Sequence, residues 1–208
     1  METPRLTAEW IVLLHGLGAN ARLMGPLERR LAAGGYSVLN WSYASLMGTI
    51  EEHGRRLHER LQTLDADASV ARLHLVAHSM GSIVARYALG LGKPARLGRM
   101  VLLAPPNRGS RVAAWLGPWL RWGCRTIDQL AARPDSFVNQ LPLPDEAIEI
   151  GVIAASIDAL VACHSTHLPA QRDHIVVPAL HSLMIYQPRV AREIVHFLAY
   201  GRFASSVA

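Results

Sequence analysis

The sequence predicts an α/β fold built on a parallel sheet, and three observations carry that reading. Short apolar runs alternate with longer amphipathic segments along most of the chain, the pattern of repeated βα units. Helix start and stop signals fall between those runs. The 208 residues, 50% apolar and 18% charged, make a single domain with enough core to fold without disulfides or a structural metal. Strands are expected at Trp10–Leu14, Tyr36–Trp41, Leu73–Ala77, Met100–Leu103, Ile148–Ala154 and His174–Leu180. Between the first two, Leu23, Leu27 and Leu31 recur every four residues over Ala21–Ala33, and Gly34-Gly35 stops that helix. The next helix opens on Thr49 with Glu52 three positions on, a capping box, and lines up Ile50, Leu57, Leu61 and Leu64. Helices over Ser82–Leu91 and Arg189–Leu198 complete the set.

One stretch breaks the rhythm. Pro105–Pro144 is far longer than the connection of about 2 to 6 residues usual in such folds, so it is an insertion, spanning about 105–147. It carries Trp115, Leu116, Trp119, Leu120 and Trp122 at helical spacing, interrupted by Gly117-Pro118. A small helical pair packed on the core and a cap over a substrate site both fit this pattern, and the two are compatible. On the second reading Trp115, Trp119 and Trp122 contact substrate.

Charge and composition remove several function classes. The formal charge is +5 and Lys93 is the only lysine, but the arginines are scattered in pairs such as Arg29-Arg30 and Arg55-Arg56 rather than gathered in a stripe. Nucleic acid is therefore not an expected partner. A diffuse positive charge suits transient contact with an anionic lipid surface, through attraction that salt screens. No signal-peptide pattern and no apolar run of membrane-spanning length are visible, so the chain as written reads as cytoplasmic, a previously removed leader aside. Cys124 and Cys163 lie 39 positions apart without framework spacing and are expected to be free buried thiols.

Chemistry concentrates where the third strand ends. Ala77-His78-Ser79-Met80-Gly81 joins a strand to a helix, the arrangement of a nucleophile elbow. Small residues on both flanks let strand and helix approach, and the sharp turn presents the serine oxygen at a helix N-terminus, where amide dipoles favour negative charge. Alanine stands at position 77, where such motifs usually begin with glycine.

At the end of the first strand stands His15-Gly16-Leu17-Gly18, and with this second motif the chain from Trp10 to Phe203 resembles the α/β-hydrolase superfamily, its small bacterial-type lipase and carboxylesterase branch. The resemblance implies an α/β-hydrolase fold: a minimal six-stranded, mostly parallel sheet with helices on both faces and a helical cap. It also implies an oxyanion hole from the backbone N–H groups of Leu17 and Met80. His15 would contact the substrate region or, the simpler reading, order the oxyanion loop by hydrogen bonding.

The family order of serine, acid, histidine points to Asp158, after the fifth strand, and His181, after the sixth. Asp173 and His174 precede the last strand and would lie at the opposite edge of a parallel sheet from Ser79. His164 and His167 remain alternatives as the base, and their His-x-x-His spacing lacks the further ligands of a zinc site. A lipase-like subfamily is similar over Asp158-Ala159-Leu160-Val161, Thr166-His167-Leu168-Pro169, Asp173-His174, His181-Ser182 and Gly201-Arg202-Phe203, with Ala159 where glycine is usual.

The implied activity is serine-dependent cleavage of carboxylic esters, of small molecules or lipids, through Ser79, His181 and Asp158, with no metal and no organic cofactor. Acyl transfer or thioester cleavage by the same residues is one alternative. An acyl-binding protein that has kept the fold and lost the chemistry is the other.

Overall fold

The computed structural model describes residues 8–120, 124–169 and 171–207. Six strands form one sheet: β1 (Ala8–Leu14), β2 (Ser37–Trp41), β3 (Val70–His78), β4 (Leu97–Leu103), β5 (Ile150–Ile157) and β6 (Gln171–Leu180). Their order is β2-β1-β3-β4-β5-β6 and every neighbouring pair is parallel, so the sheet is wholly rather than mostly parallel. Every expected strand forms, but β3, β4 and β6 each begin three residues early and β5 runs on to Ile157. Asp173 and His174 therefore lie inside β6, pairing with Gly151 and Val152 near its N-terminal end.

Alternation along the strands splits the core in two. In β1, Ile11 and Leu13 face α1 (Ala21–Ala33) and α7 (Pro188–Tyr200), while Val12 and Leu14 face α2 (Ile50–Ala66) and α3 (Met80–Leu91). Both cores need helical cover, because a parallel sheet is apolar on both sides. Helix α1 opens on Asn20, whose side chain accepts from the N–H groups of Arg22 and Leu23, and Gly34 caps its other end. Helix α2 opens on the full Thr49–Glu52 capping box.

The chain crosses from one side of β1 to the other between β2 and β3, so the ends of β1 and β3 sit at the point where the connection direction reverses. Ligands of open α/β sheets bind in the crevice there. Between β4 and β5 the chain forms α4 (Arg111–Leu120), α5 (Arg125–Gln129) and α6 (Phe137–Gln140). Helix α4 runs through Gly117-Pro118 instead of breaking there. Proline removes one ladder bond, but its fixed φ is helical, and the helix ends two residues later.

The segment is fixed to the body at several points. The Ile50 N–H donates to Gln129 Oε1, Thr126 Oγ1 donates to the Ser45 carbonyl, and Arg86 of α3 donates to Asn107 and to the Pro142 carbonyl. Both cysteines are free, but Cys163, expected to be buried, is exposed.

Candidate active site

Strand register assembles the site. Leu14 pairs with Ala77, so His15-Gly16-Leu17 leaves the sheet beside His78-Ser79. Ile157 pairs with Leu180, so Asp158 and His181 leave it side by side. Three loops thus meet at the C-terminal edge.

Ser79 is the tightest point of the turn, at φ 53° and ψ −125°, a left-handed conformation that costs a non-glycine residue on the order of 1–3 kcal/mol. Close packing enforces it. A Cβ on Gly81 would lie 2.6 Å from the His15 carbonyl, and one on Gly16 would lie 2.9 Å from Ser79 Cβ. Ala77 is wholly buried and fits without glycine at that flank, its carbonyl accepting from Ser82 Oγ at 3.0 Å.

His181 Nε2 lies 2.9 Å from Ser79 Oγ, and its Nδ1 lies 2.7 Å from Asp158 Oδ2. The carboxylate accepts, so Nδ1 carries the hydrogen and Nε2 is the bare nitrogen facing the serine hydroxyl. The Asp158 side chain is only 2% exposed. Burial works against its ionisation, yet the His181 hydrogen bond, the Val161 N–H, the charge of His181 and the Leu160 N–H together hold its carboxyl below the usual range. Oδ1 accepts from Leu160 at 2.9 Å and from Val161 at 2.8 Å, a side-chain turn that forms with Ala159 in the place of glycine.

Among the described residues the Leu17 N–H has no acceptor, and Met80 N–H is the first of α3, where no intrahelical carbonyl is in reach. The Met80 peptide follows Ser79 directly, and Leu17 follows Gly16, which packs against Ser79 Cβ, and lines the same cavity. His15, counted with the substrate-contacting residues, does not reach the ligand space: it is wholly buried behind the loop. Its Nδ1–H donates to the Gly16 carbonyl at 2.9 Å, Nε2 accepts from the Tyr43 N–H at 3.3 Å, and the two rings stack at 4.3 Å. Burial pushes its pKa down, which suits this neutral form. Tyr43 in turn donates its hydroxyl to the His15 carbonyl at 2.7 Å.

Ser79 opens into a cavity of about 420 Å³. Leu17, Leu23 and Ile185 wall one part of it, and Val112, Ile127 and Leu130 of the β4–β5 segment another. The β4–β5 segment therefore lines the cavity with these residues and not with Trp115, which is 73% exposed and absent from the wall. The side chain of Trp119 and the whole of Trp122 lie outside the described residues. His164 and His167 do not line the cavity either. The His167 ring stacks on His174 at 4.1 Å, with Gln171 on its Nδ1.

Two participants escaped the sequence reading. His78 and Ser110 both line the cavity. His78 was visible as a motif member, but its partner lies 103 residues away; nothing local marks Ser110.

A serine hydroxyl, a bare imidazole nitrogen and a buried carboxylate in line, beside unpaired N–H groups and an apolar cavity, can support nucleophilic attack on an acyl carbon. A family model described as the alpha/beta hydrolase family matches residues 11–199. The chain belongs to the alpha/beta hydrolase family. Among solved structures, this alpha/beta hydrolase is similar to the mature form of the Bacillus licheniformis lipase BlEst2, with a TM-score of 0.70 and 15% identity over 96% of this chain and 94% of that one. It is similar to Aspergillus fumigatus lipase B at TM-score 0.77 and 12% identity, over 93% of this chain but 53% of the lipase, and to the Pyrococcus furiosus esterase Pf2001 at 0.64 and 18%, over 93% and 83%. No curated protein matches it significantly. Identities this low speak for the fold of the hydrolase and leave its substrate to the site. No helix among its described residues is long and apolar enough to cross a membrane.

Proposed function

We propose that this hydrolase cleaves carboxylic esters with an apolar acyl chain, with Ser79 as nucleophile, His181 as general base and then acid, and Asp158 as the group that orients the imidazole. The observation that carries the reading is the 2.9 Å contact between Ser79 Oγ and the bare His181 Nε2 at the mouth of an apolar cavity. The Ser79 oxygen attacks the ester carbonyl carbon while its proton passes to Nε2. The N–H groups of Leu17 and Met80 hold the oxyanion, each such donor contributing on the order of 3 kcal/mol. Collapse breaks the bond to the alcohol oxygen, which leaves with the proton from Nε2. Water then attacks the acyl-enzyme, giving its proton to Nε2, and the carboxylic acid departs as Ser79 regains its hydrogen.

The cavity wall supports an uncharged acyl chain. Among the described residues its ionisable side chains are His78, His181 and Tyr186, so none of them brings a fixed charge to pair with an acidic or basic acyl group. A small-molecule ester and a lipid ester share this chemistry. Intact-mass analysis after fluorophosphonate treatment tests the reading. A single adduct on the wild type and none on Ser79→Ala, together with release of p-nitrophenol from p-nitrophenyl butyrate by the wild type alone, is the expected result. An unlabelled wild type that is nonetheless stabilised by fatty acid would instead support an acyl-binding protein.

A further inference from the structure

The residue between the first small residue of the elbow and the serine has a bond of its own. Alternation along β3 places Val76 in the core against α7, so His78 falls on that side of the sheet, under the loop that follows β6. There its Nε2 lies 3.0 Å from the backbone carbonyl of His181. A carbonyl only accepts, so Nε2 carries the hydrogen and Nδ1 is bare. Nδ1 is buried and has no partner in hydrogen-bond reach among the described residues, and it faces Gly16, where an added Cβ would lie 3.1 Å away. The two imidazoles lie tilted with centroids 5.0 Å apart.

We propose that His78 is a positioning residue: a neutral imidazole that holds the backbone of His181, and so keeps its Nε2 on the Ser79 hydroxyl, while its other edge packs on the oxyanion loop at Gly16. The inference rests on the Ser79–His181 reading above. Three separate loops meet at this one ring. The elbow carries it, the β6–α7 loop takes its hydrogen, and the β1–α1 loop fits against its bare nitrogen. Direct proton transfer is not its role, because the bare nitrogen is closed off from the cavity. A second proton on Nδ1 would meet Gly16 without an acceptor, and burial, with the neighbouring His181 charge, pushes the ring down to about 3. The ring thus stays neutral throughout the working range of a serine hydrolase. A proline, glycine or aliphatic residue at 78 would leave the His181 carbonyl without this donor.

The test compares His78→Phe, which keeps a flat ring and loses the donor, with His78→Gln, whose amide nitrogen reaches the position of Nε2. On p-nitrophenyl butyrate, His78→Phe is expected to lower kcat on the order of tenfold with KM within about twofold of wild type, the kinetic equivalent of one lost buried hydrogen bond. His78→Gln is expected to recover most of the loss. The second readout needs no turnover: the low-field proton NMR signal of His181 Nδ1–H, bonded to Asp158, is expected in wild type and His78→Gln and broadened or lost in His78→Phe. An unchanged kcat and an unchanged signal in His78→Phe would overturn the proposal, as would an equal loss in both variants that follows their melting temperatures. Failure of the ester reading itself would show separately, as a wild type without fluorophosphonate adduct, and the NMR comparison would still decide the role of His78.

Discussion

Ser110 Oγ donates to the carbonyl oxygen of Leu160 at 2.6 Å, while the N–H of Leu160 donates to Asp158 Oδ1 at 2.9 Å. One residue, through the two peptide groups that flank its Cα, thus joins the β4–β5 segment to the acid beside His181. Ser110 also accepts from the Ala113 N–H at the start of α4, and it is tied by its backbone to Leu130 and Ala132. Movement of α4 and α5 would therefore be felt at Asp158. The same face carries two further links, Arg108 N–H to the Ser165 carbonyl and Asn107 Nδ2 to the Thr166 carbonyl.

Ser110→Ala removes the central link and leaves the neighbouring two. One lost hydrogen bond predicts about 1 kcal/mol of stability and a several-fold fall in kcat, since the Asp158 loop is loosened rather than broken. Thermal melting and ester kinetics check this. A kcat equal to wild type would mean that the acid turn holds itself.

Acid should destabilise the protein in two stages. His15, His53, His74 and His174 are held below their ordinary pKa chiefly by burial, and His78 is pushed down to about 3. Groups with lowered values contribute stability that is complete above the unfolded pKa, near 6.5 for histidine, and lost as pH falls toward the folded value. Asp158, also lowered, adds a contribution present above about pH 3.9 and lost as pH falls through its folded value. The melting temperature should therefore be flat above about pH 7 and fall steadily below 6.5. His78→Gln should flatten part of that fall, and an identical slope in the variant would remove His78 as a contributor.

Gly81→Ala should abolish ester cleavage. The added carbon would sit 2.6 Å from the His15 carbonyl and 3.1 Å from Leu14 Cβ, so helix α3 must retreat from β1 and carry the Met80 N–H with it. The obstacle is backbone, which cannot rotate aside. Reaction with the fluorophosphonate is the sensitive readout, because it needs the same oxyanion site as an ester. Labelling at the wild-type rate would show that the close approach at Gly81 is not needed.

The six strands and four long helices were legible because each has its own signal: a short apolar run, a four-residue period, a cap. Ser79, Asp158 and His181 were legible through their order after strands three, five and six. Other features depended on the fold being closed. Nothing near His78 names the His181 carbonyl, and nothing near Ser110 names Leu160, since each pair is separated by a long stretch of chain. Trp115 misled for a related reason. A tryptophan at helical spacing suggests a buried face, but which face of α4 meets the site depends on where Ser110 anchors it, and the cavity receives Val112 and Ala113. The exposure of Cys163 likewise follows from the short turn at 163–166, which no periodicity announced.

The closing Gly201-Arg202-Phe203 docks against the sheet and should matter for stability but not chemistry. Phe203 is wholly buried, its ring lies 4.8 Å from Phe197, and its N–H donates to Asp173 Oδ2 at 2.7 Å. Gly151 of β5 makes room for both rings, as a Cβ there would lie 2.7 Å from each. Phe203→Ala is expected to cost about 3–5 kcal/mol and lower the melting temperature by roughly 10 °C. Below that temperature the rate of fluorophosphonate labelling should match wild type, and a slowed rate would show that this end of the sheet influences the site.

Acyl-chain selectivity should be set by the β4–β5 segment. Ala113 contributes a small side chain to the cavity wall beside Ile127 and Leu130, so Ala113→Phe would fill space that a longer chain needs. Each buried methylene contributes about 0.8 kcal/mol, close to fourfold in kcat/KM, for as long as the cavity has room. Across p-nitrophenyl esters of increasing length, the wild type should therefore gain kcat/KM steeply at first and then level off. The variant should level off several carbons earlier while keeping wild-type activity on the acetate. Equal profiles would place the acyl chain away from Ala113, toward Leu23 and Ile185, and Leu23→Phe would then shorten the profile in its stead.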